Sequence, residues 1–129
     1  MKILVAYDEQ TSFERVIDHA VKRAKRFNAS VHLIRTCSPD RSALEISQMT
    51  FKLKELRRDR FKNQGVEGEA HVLIRGLAPG EDIVQYAREK DVDEIIMGIK
   101  KRSKVGKALF GSTAQFVILE AHCPVLTIK

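Results

Sequence analysis

Five short apolar runs, separated by helix-length amphipathic segments, constrain the fold more than any other feature of the chain. The first run, Lys2 to Tyr7 (KILVAY), is almost continuously apolar, the pattern of a strand covered on both faces. The others are Ala29 to Thr36, Glu69 to Arg75, Asp93 to Met97 and Val125 to Ile128, the last opened by Pro124. Between the first two, Phe13, Val16, Ile17, Ala20, Val21, Ala24 and Phe27 fall on one helical stripe, with Lys22, Arg23, Lys25 and Arg26 opposite. Ser42 and Glu45 have the spacing of a capping box. They open a helix with Ile46, Met49, Leu53, Leu56 and Phe61 as its apolar stripe, ending near Gly65. Gly76 and Pro79-Gly80 mark a turn before a short helix carried by Ile83, Val84 and Ala87. A second capping-box pattern, Ser112-Thr113-Ala114-Gln115, predicts the start of the last helix.

The order βαβαβαβαβ predicts a single α/β domain over residues 1–129, with a doubly wound, mostly parallel five-stranded sheet and helices on both faces. In open sheets of this kind, ligands bind beyond the carboxyl ends of the strands, where the strand order reverses. That rule directs attention to the segments after Tyr7, Thr36, Arg75 and Met97.

The segment after the fourth strand is the most distinctive. Five basic residues (Lys100, Lys101, Arg102, Lys104 and Lys107) lie between Gly98 and Gly111, and the loop feeds the helix that begins near Ser112. Unpaired N–H groups and the positive end of a helix dipole, behind small residues, make an anion site. By composition alone, a solvated basic loop ending in a serine cap is an equal reading; the position at the ligand end of the sheet favours the anion site. The spacing does not fit other phosphate motifs. Lys101 stands where a Walker A loop ending at Gly106-Lys107 needs its first glycine, Ala108 stands where it needs Ser or Thr, and the first strand leads into Asp8-Glu9-Gln10-Thr11 instead of GxGxxG.

Asp8, directly after a buried strand, is placed to accept from a ribose hydroxyl or an adenine amino group or to help hold a metal. The competing role is to cap the next helix with Thr11 and Ser12. No GxSxG, HExxH or local Ser/His/Asp set marks a catalytic centre. Asp93-Glu94 reads as a solvated pair at the far end of the sheet. Cys37 and Cys123 lack CxxC spacing, and His19, His32, His71 and His122 are scattered, which favours packing or surface roles over metal ligation. The net charge of +6 favours anionic partners. With two Tyr and six Phe, mostly on helix stripes, a nucleic-acid stacking platform is not expected. No apolar run approaches the ~20 residues of a membrane helix, and MKILVAYD reaches a charge too early for a signal peptide, so the expected location is the cytoplasm.

The run ILVAYD, the Gly76 turn, DEIIMG with its loop to FGST, and CPVLTIK resemble the universal stress protein family over essentially the whole chain. The family's nucleotide signature is glycine, two residues, glycine, nine residues, then glycine and Ser or Thr. Gly98 supplies the first position, Arg102 to Phe110 the spacer and Gly111-Ser112 the end, while Lys101 replaces the second glycine. Glu9-Gln10 also departs from the Gly-Ser pair common there. The resemblance implies strand order 3-2-1-4-5 and a stress-response protein that binds ATP or a related adenine nucleotide, alone or with Mg2+. The nucleotide would be a signal or structural ligand with at most slow hydrolysis, so an enzyme is not expected beyond a weak ATPase. It implies adenosine against Ala6, Asp8 and Thr36, with ribose and phosphates against Met97, Gly98, Lys101, Gly111, Ser112 and Thr113. Lys100, Lys101 and Arg102 would meet phosphates through their side chains. It also implies a homodimer paired through Val125, Leu126, Thr127 and Ile128, which protects an exposed edge strand. The alternative implied by Lys101 is a nucleotide-free member acting through dimerisation and protein contacts.

Overall fold

The computed structural model describes residues 1–99 and 111–129. β1 (Lys2–Ala6), β2 (Ser30–Thr36), β3 (Gly68–Leu73), β4 (Glu94–Gly98) and β5 (Val125–Ile128) form one sheet in the order β3-β2-β1-β4-β5. Every pairing is parallel. The helices are α1 (Phe13–Phe27), α2 (Ala43–Leu56), α3 (Pro79–Glu89) and α4 (Ser112–Glu120). The predicted fold class and strand order are those observed, while the third run stops short: β3 ends at Leu73, and Ile74 and Arg75 leave the sheet.

Alternate strand residues face opposite layers. Ile3, Val5, Val31, Leu33 and Ile96 join α1 and α2 residues such as Ile17 and Leu53 in one apolar cluster. Leu4, Ala6, Ile34, Ile95 and Met97 join Ile83, Ala87 and Val117 of α3 and α4 in the other. β1 lies between β2 and β4, and its Ile3, Leu4 and Val5 are fully buried. Its continuous apolar run serves both layers at once.

Ser42 caps α2 as its spacing predicts: the hydroxyl accepts from Glu45 N–H at 3.1 Å and donates to the Glu45 carboxylate at 3.2 Å. The end of α2 is less regular. The step from Leu56 to Phe61 is one residue too long for an α-turn, and over Arg57–Phe61 the backbone widens into a π-turn. Lys62 N–H reaches the Arg57 carbonyl, and Phe61 becomes fully buried. Gly65, at φ 78°, then ends the segment in the left-handed conformation.

The start of α4 departs from expectation. Gly111 is the N-cap, and its carbonyl accepts from Gln115 N–H at 3.1 Å, so Ser112 is already inside the helix and forms no capping box. Asp93-Glu94 is not a solvated pair either. Glu94 is 7% exposed, and Arg23 of α1 grips its two oxygens at 2.6 and 2.7 Å. The amphipathic stripe of α1 puts Arg23 on the polar side, yet its length lets it reach over the sheet end. Asp93 instead accepts from the backbone N–H of Lys2 at 2.7 Å.

Gly98 is placed where the β1–α1 loop crosses the end of β4. A Cβ there would lie 2.4 Å from Thr11 Oγ1 and 2.6 Å from Thr11 Cβ. The loop seats against β4 because residue 98 has no side chain.

Two stability measurements check these contacts. Arg23→Ala strands a buried carboxylate and should cost about 2–4 kcal/mol in urea unfolding, whereas Lys22→Ala on the exposed face should cost about 0.5 kcal/mol or less. Equal losses would make the Glu94 pair energetically idle. Gly98→Ala should cost about 1–3 kcal/mol by overpacking, and a wild-type midpoint would show that the Thr11 loop yields freely.

Candidate functional site

β1 leads to β2 on one side and its neighbour β4 leads to β5 on the other, so the crossovers from these two adjacent strands run in opposite directions. Among the described residues, a cleft of about 370 Å3 opens at the carboxyl ends of β1 and β4. Ala6, Asp8, Thr36, Met97, Gly98, Gly111, Ser112 and Thr113 all line it. Lys100, Lys101 and Arg102 lie outside the described residues.

Each wall follows from local structure. Ala6 and Met97 are the paired ends of β1 and β4, and both side chains lie in the α3–α4 layer. Pro79 and Ile83, from the first turns of α3, close one side. Gly111, Ser112 and Thr113 bring the first turn of α4 to the cleft. The first N–H groups of a helix have no intrahelical partner, so this wall is a donor surface at the positive end of a dipole.

Asp8 does not cap α1, whose N-cap is Ser12. Its Oδ1 accepts from Gln10 N–H at 2.9 Å, and its carbonyl accepts from Thr11 N–H and Oγ1 at 3.2 and 3.0 Å. This local turn holds the loop while leaving the carboxylate on the cleft wall.

The cleft also holds residues that the sequence did not single out: Tyr7, Glu9, Arg35, Arg41 and Ile83 among them. Glu9 ties the loop across to β2 and α2. Its Oε1 accepts from Tyr7 Oη and Arg35 Nη1, both at 3.1 Å, with Lys52 Nζ 3.6 Å away. The Arg35 guanidinium also lies 5.0 Å from the Tyr7 ring centroid. The Tyr7 hydrogen bond and the two cations hold the Glu9 carboxyl below its ordinary range, and burial pushes the Tyr7 phenol above its own. Arg41 is held at 2.9 Å by Glu45, four residues on. Arg35, the one arginine or lysine of β2 and next to its carboxyl end, is the signal that could have marked this wall beforehand.

Among the described residues, no group of three His, Cys, Asp or Glu side chains is arranged to hold a metal ion, and no helix is long and apolar enough to cross a membrane. β5, with Val125, Leu126 and Thr127 half-buried and Ile128 buried, forms one edge of the sheet.

The universal stress protein family model matches residues 1–129. The structure of a universal stress protein from Archaeoglobus fulgidus is similar at 37% identity with a TM-score of 0.86, covering 100% of this chain and 98% of that one. The universal stress protein from the same organism solved in complex with dAMP is 32% identical, with a TM-score of 0.81 and coverage of 100% and 98%. A universal stress protein of Methanocaldococcus jannaschii is 30% identical over 141 residues, covering 99% of this chain and 81% of the relative. The chain therefore belongs to the universal stress protein family.

Proposed function

We propose that the cleft between β1 and β4 binds an adenine nucleotide, ATP or a relative of it, as a signal or structural ligand with at most slow hydrolysis. One observation carries this reading. The cleft joins a carboxylate at the end of β1 to the N-terminus of α4, in a chain 32% identical to a protein solved with dAMP. A carboxylate accepts from base or ribose donors; helix N–H groups donate to phosphate. The volume of about 370 Å3 falls within the usual range of small-ligand sites, roughly 300–1,000 Å3.

In this reading adenosine lies against Ala6, Asp8 and Thr36. Ribose and phosphates lie against Met97, Gly98, Gly111, Ser112 and Thr113, with Lys100, Lys101 and Arg102 supplying cations. Lys101 then replaces backbone approach with a side-chain charge, and a bound Mg2+ would be carried by the phosphates of ATP. The family resemblance supports a cytoplasmic homodimer paired through β5 at Val125, Leu126, Thr127 and Ile128.

Gly111→Asp separates the helix from its ligand. Aspartate is a favourable N-cap, so α4 should be kept or strengthened, while its charge opposes the phosphates. Calorimetric titration should show AMP and ATP binding lost with the melting temperature unchanged or raised; retained affinity would remove α4 from the site. Asp8→Asn keeps the acceptor for Gln10 and removes the charge. It should weaken adenine nucleotides by about tenfold, the size of one charge-assisted hydrogen bond, and leave inorganic triphosphate unaffected. An equal change for both ligands would assign Asp8 to loop structure alone.

A further inference from the structure

At the opposite end of the sheet from the cleft, β2 and β3 carry a titratable cluster beside α3, in which His32 and Tyr86 are buried and Glu69 and His71 are exposed. His32 of β2 is 5% exposed, and its Nδ1 lies 2.8 Å from the hydroxyl of Tyr86 on α3. Its Nε2 faces Glu69 Oε2 at 3.8 Å, and the other oxygen of Glu69 is 2.9 Å from His71 Nε2. The carboxylate charge opposite Nε2 favours the tautomer with its proton there, and in that tautomer Nδ1 accepts from Tyr86. Glu69 is held below its ordinary range, first by the His71 hydrogen bond, and stays charged in mild acid. Tyr86 is pushed up to about 12 by burial and remains a neutral phenol.

Tyr86 is one turn beyond Ile83 on α3, and Pro79 and Ile83 form a wall of the cleft. One helix therefore spans both places. We infer that the His32–Tyr86 hydrogen bond is an acid-sensitive clamp, which seats α3 on the sheet near neutral pH and releases it, with its cleft wall, when His32 is protonated. The consequence for ligand binding rests on the nucleotide reading above; the clamp itself does not.

A doubly protonated imidazole has no acceptor for the Tyr86 hydroxyl, so the contact must reverse or break. The new charge would sit on a buried ring, with Glu69 the strongest of the four charged groups that act on it. Lys2 from β1, His71 from β3 and Lys90 from α3 repel it, and Glu69 from β3 attracts it. Burial is the largest effect, and together they hold the His32 imidazole below its ordinary value. The sign follows from linkage. Between that lowered value and the ordinary one of about 6.5, the unfolded or released form binds a proton that the clamped form refuses. Clamping is therefore intact above about pH 6.5 and is lost as pH falls, by at most about tenfold per unit for one proton.

The test uses ligand-free protein. His32 is followed by imidazole NMR, and amide exchange of α3 is compared at pH 7.5 and 5.5 after correction for intrinsic rates. His32→Asn keeps an acceptor for Tyr86 but cannot titrate; Tyr86→Phe keeps the ring and removes the hydroxyl. Wild-type α3 protection should fall relative to His32→Asn on acidification, by at most about tenfold. Tyr86→Phe should show weak protection at both pH values. The same acid loss in wild type and His32→Asn, or none in wild type, overturns the clamp. Should His32→Asn not fold, Tyr86→Phe decides: pH dependence equal to wild type refutes the clamp, and its absence supports it. AMP titrations at both pH values add the coupling. Wild type should lose affinity relative to His32→Asn in proportion to the fraction of α3 released, by at most about tenfold, since the ionisation of AMP is common to both; an unchanged ratio overturns the coupling. AMP failing to bind at pH 7.5 would refute the nucleotide reading and leave the exchange result to judge the clamp.

Discussion

Burial of β1 on both faces is the constraint from which the rest of the structure follows. Ile3 and Val5 face one helical layer, Leu4 and Ala6 the other, and none of the four is more than 6% exposed. A strand covered on both faces needs helices on both, and a parallel sheet supplies them through right-handed crossovers. Because β1 carries β2 on one side and β4 on the other, the crossovers diverge above it. The cleft is the space this divergence leaves. Packing of the central strand and creation of the site are thus one event.

The two ends of the sheet are built for different work. At the carboxyl ends, the chain presents a local turn at Asp8, a helix start at Gly111 and the residues gathered by Glu9. At the amino ends the polar groups seal the fold: Arg23 on Glu94, Lys2 on Asp93 and on the Lys90 carbonyl, Tyr86 on His32. The bonds of Arg23 and Tyr86 satisfy groups on Glu94 and His32 that burial would otherwise leave unpaired. α3 belongs to both ends, its first turn in the cleft wall and its later turns on the His32 cluster. A rigid helix of this kind can link them without any rearrangement of the strands.

Glu9 shows how one side chain fixes the course of a loop. The carboxylate gathers Tyr7, Arg35 and Lys52 and joins the β1–α1 loop to β2 and α2. Individually such half-exposed pairs stabilise little, in the range of about 0–1 kcal/mol. Collected on one carboxylate, they set the position of a loop that also carries Asp8, Gln10 and Thr11 into the cleft.

Apolar periodicity and turn residues alone determined the alternation of strands and helices, the Ser42 cap and the parallel class, because each rests on neighbours within a few positions. Family motifs added the strand order and named Ala6, Asp8, Thr36, Met97, Gly98 and Gly111–Thr113, all of which meet in one cleft. Tertiary structure decided the contacts between distant residues. Arg23 and Glu94 are 71 positions apart, and nothing in a solvated-looking DE pair reveals that one carboxylate is buried under an arginine. His32 meets Tyr86 across 54 positions, and Gly98 owes its lack of a side chain to Thr11, which the loop after the neighbouring strand β1 lays against it. Ser112 fits a capping box by sequence, yet the carbonyl of Gly111 starts the helix one residue earlier. Local pattern specifies which face of an element is apolar; only packing decides which polar side chain ends up beneath it, and with what partner.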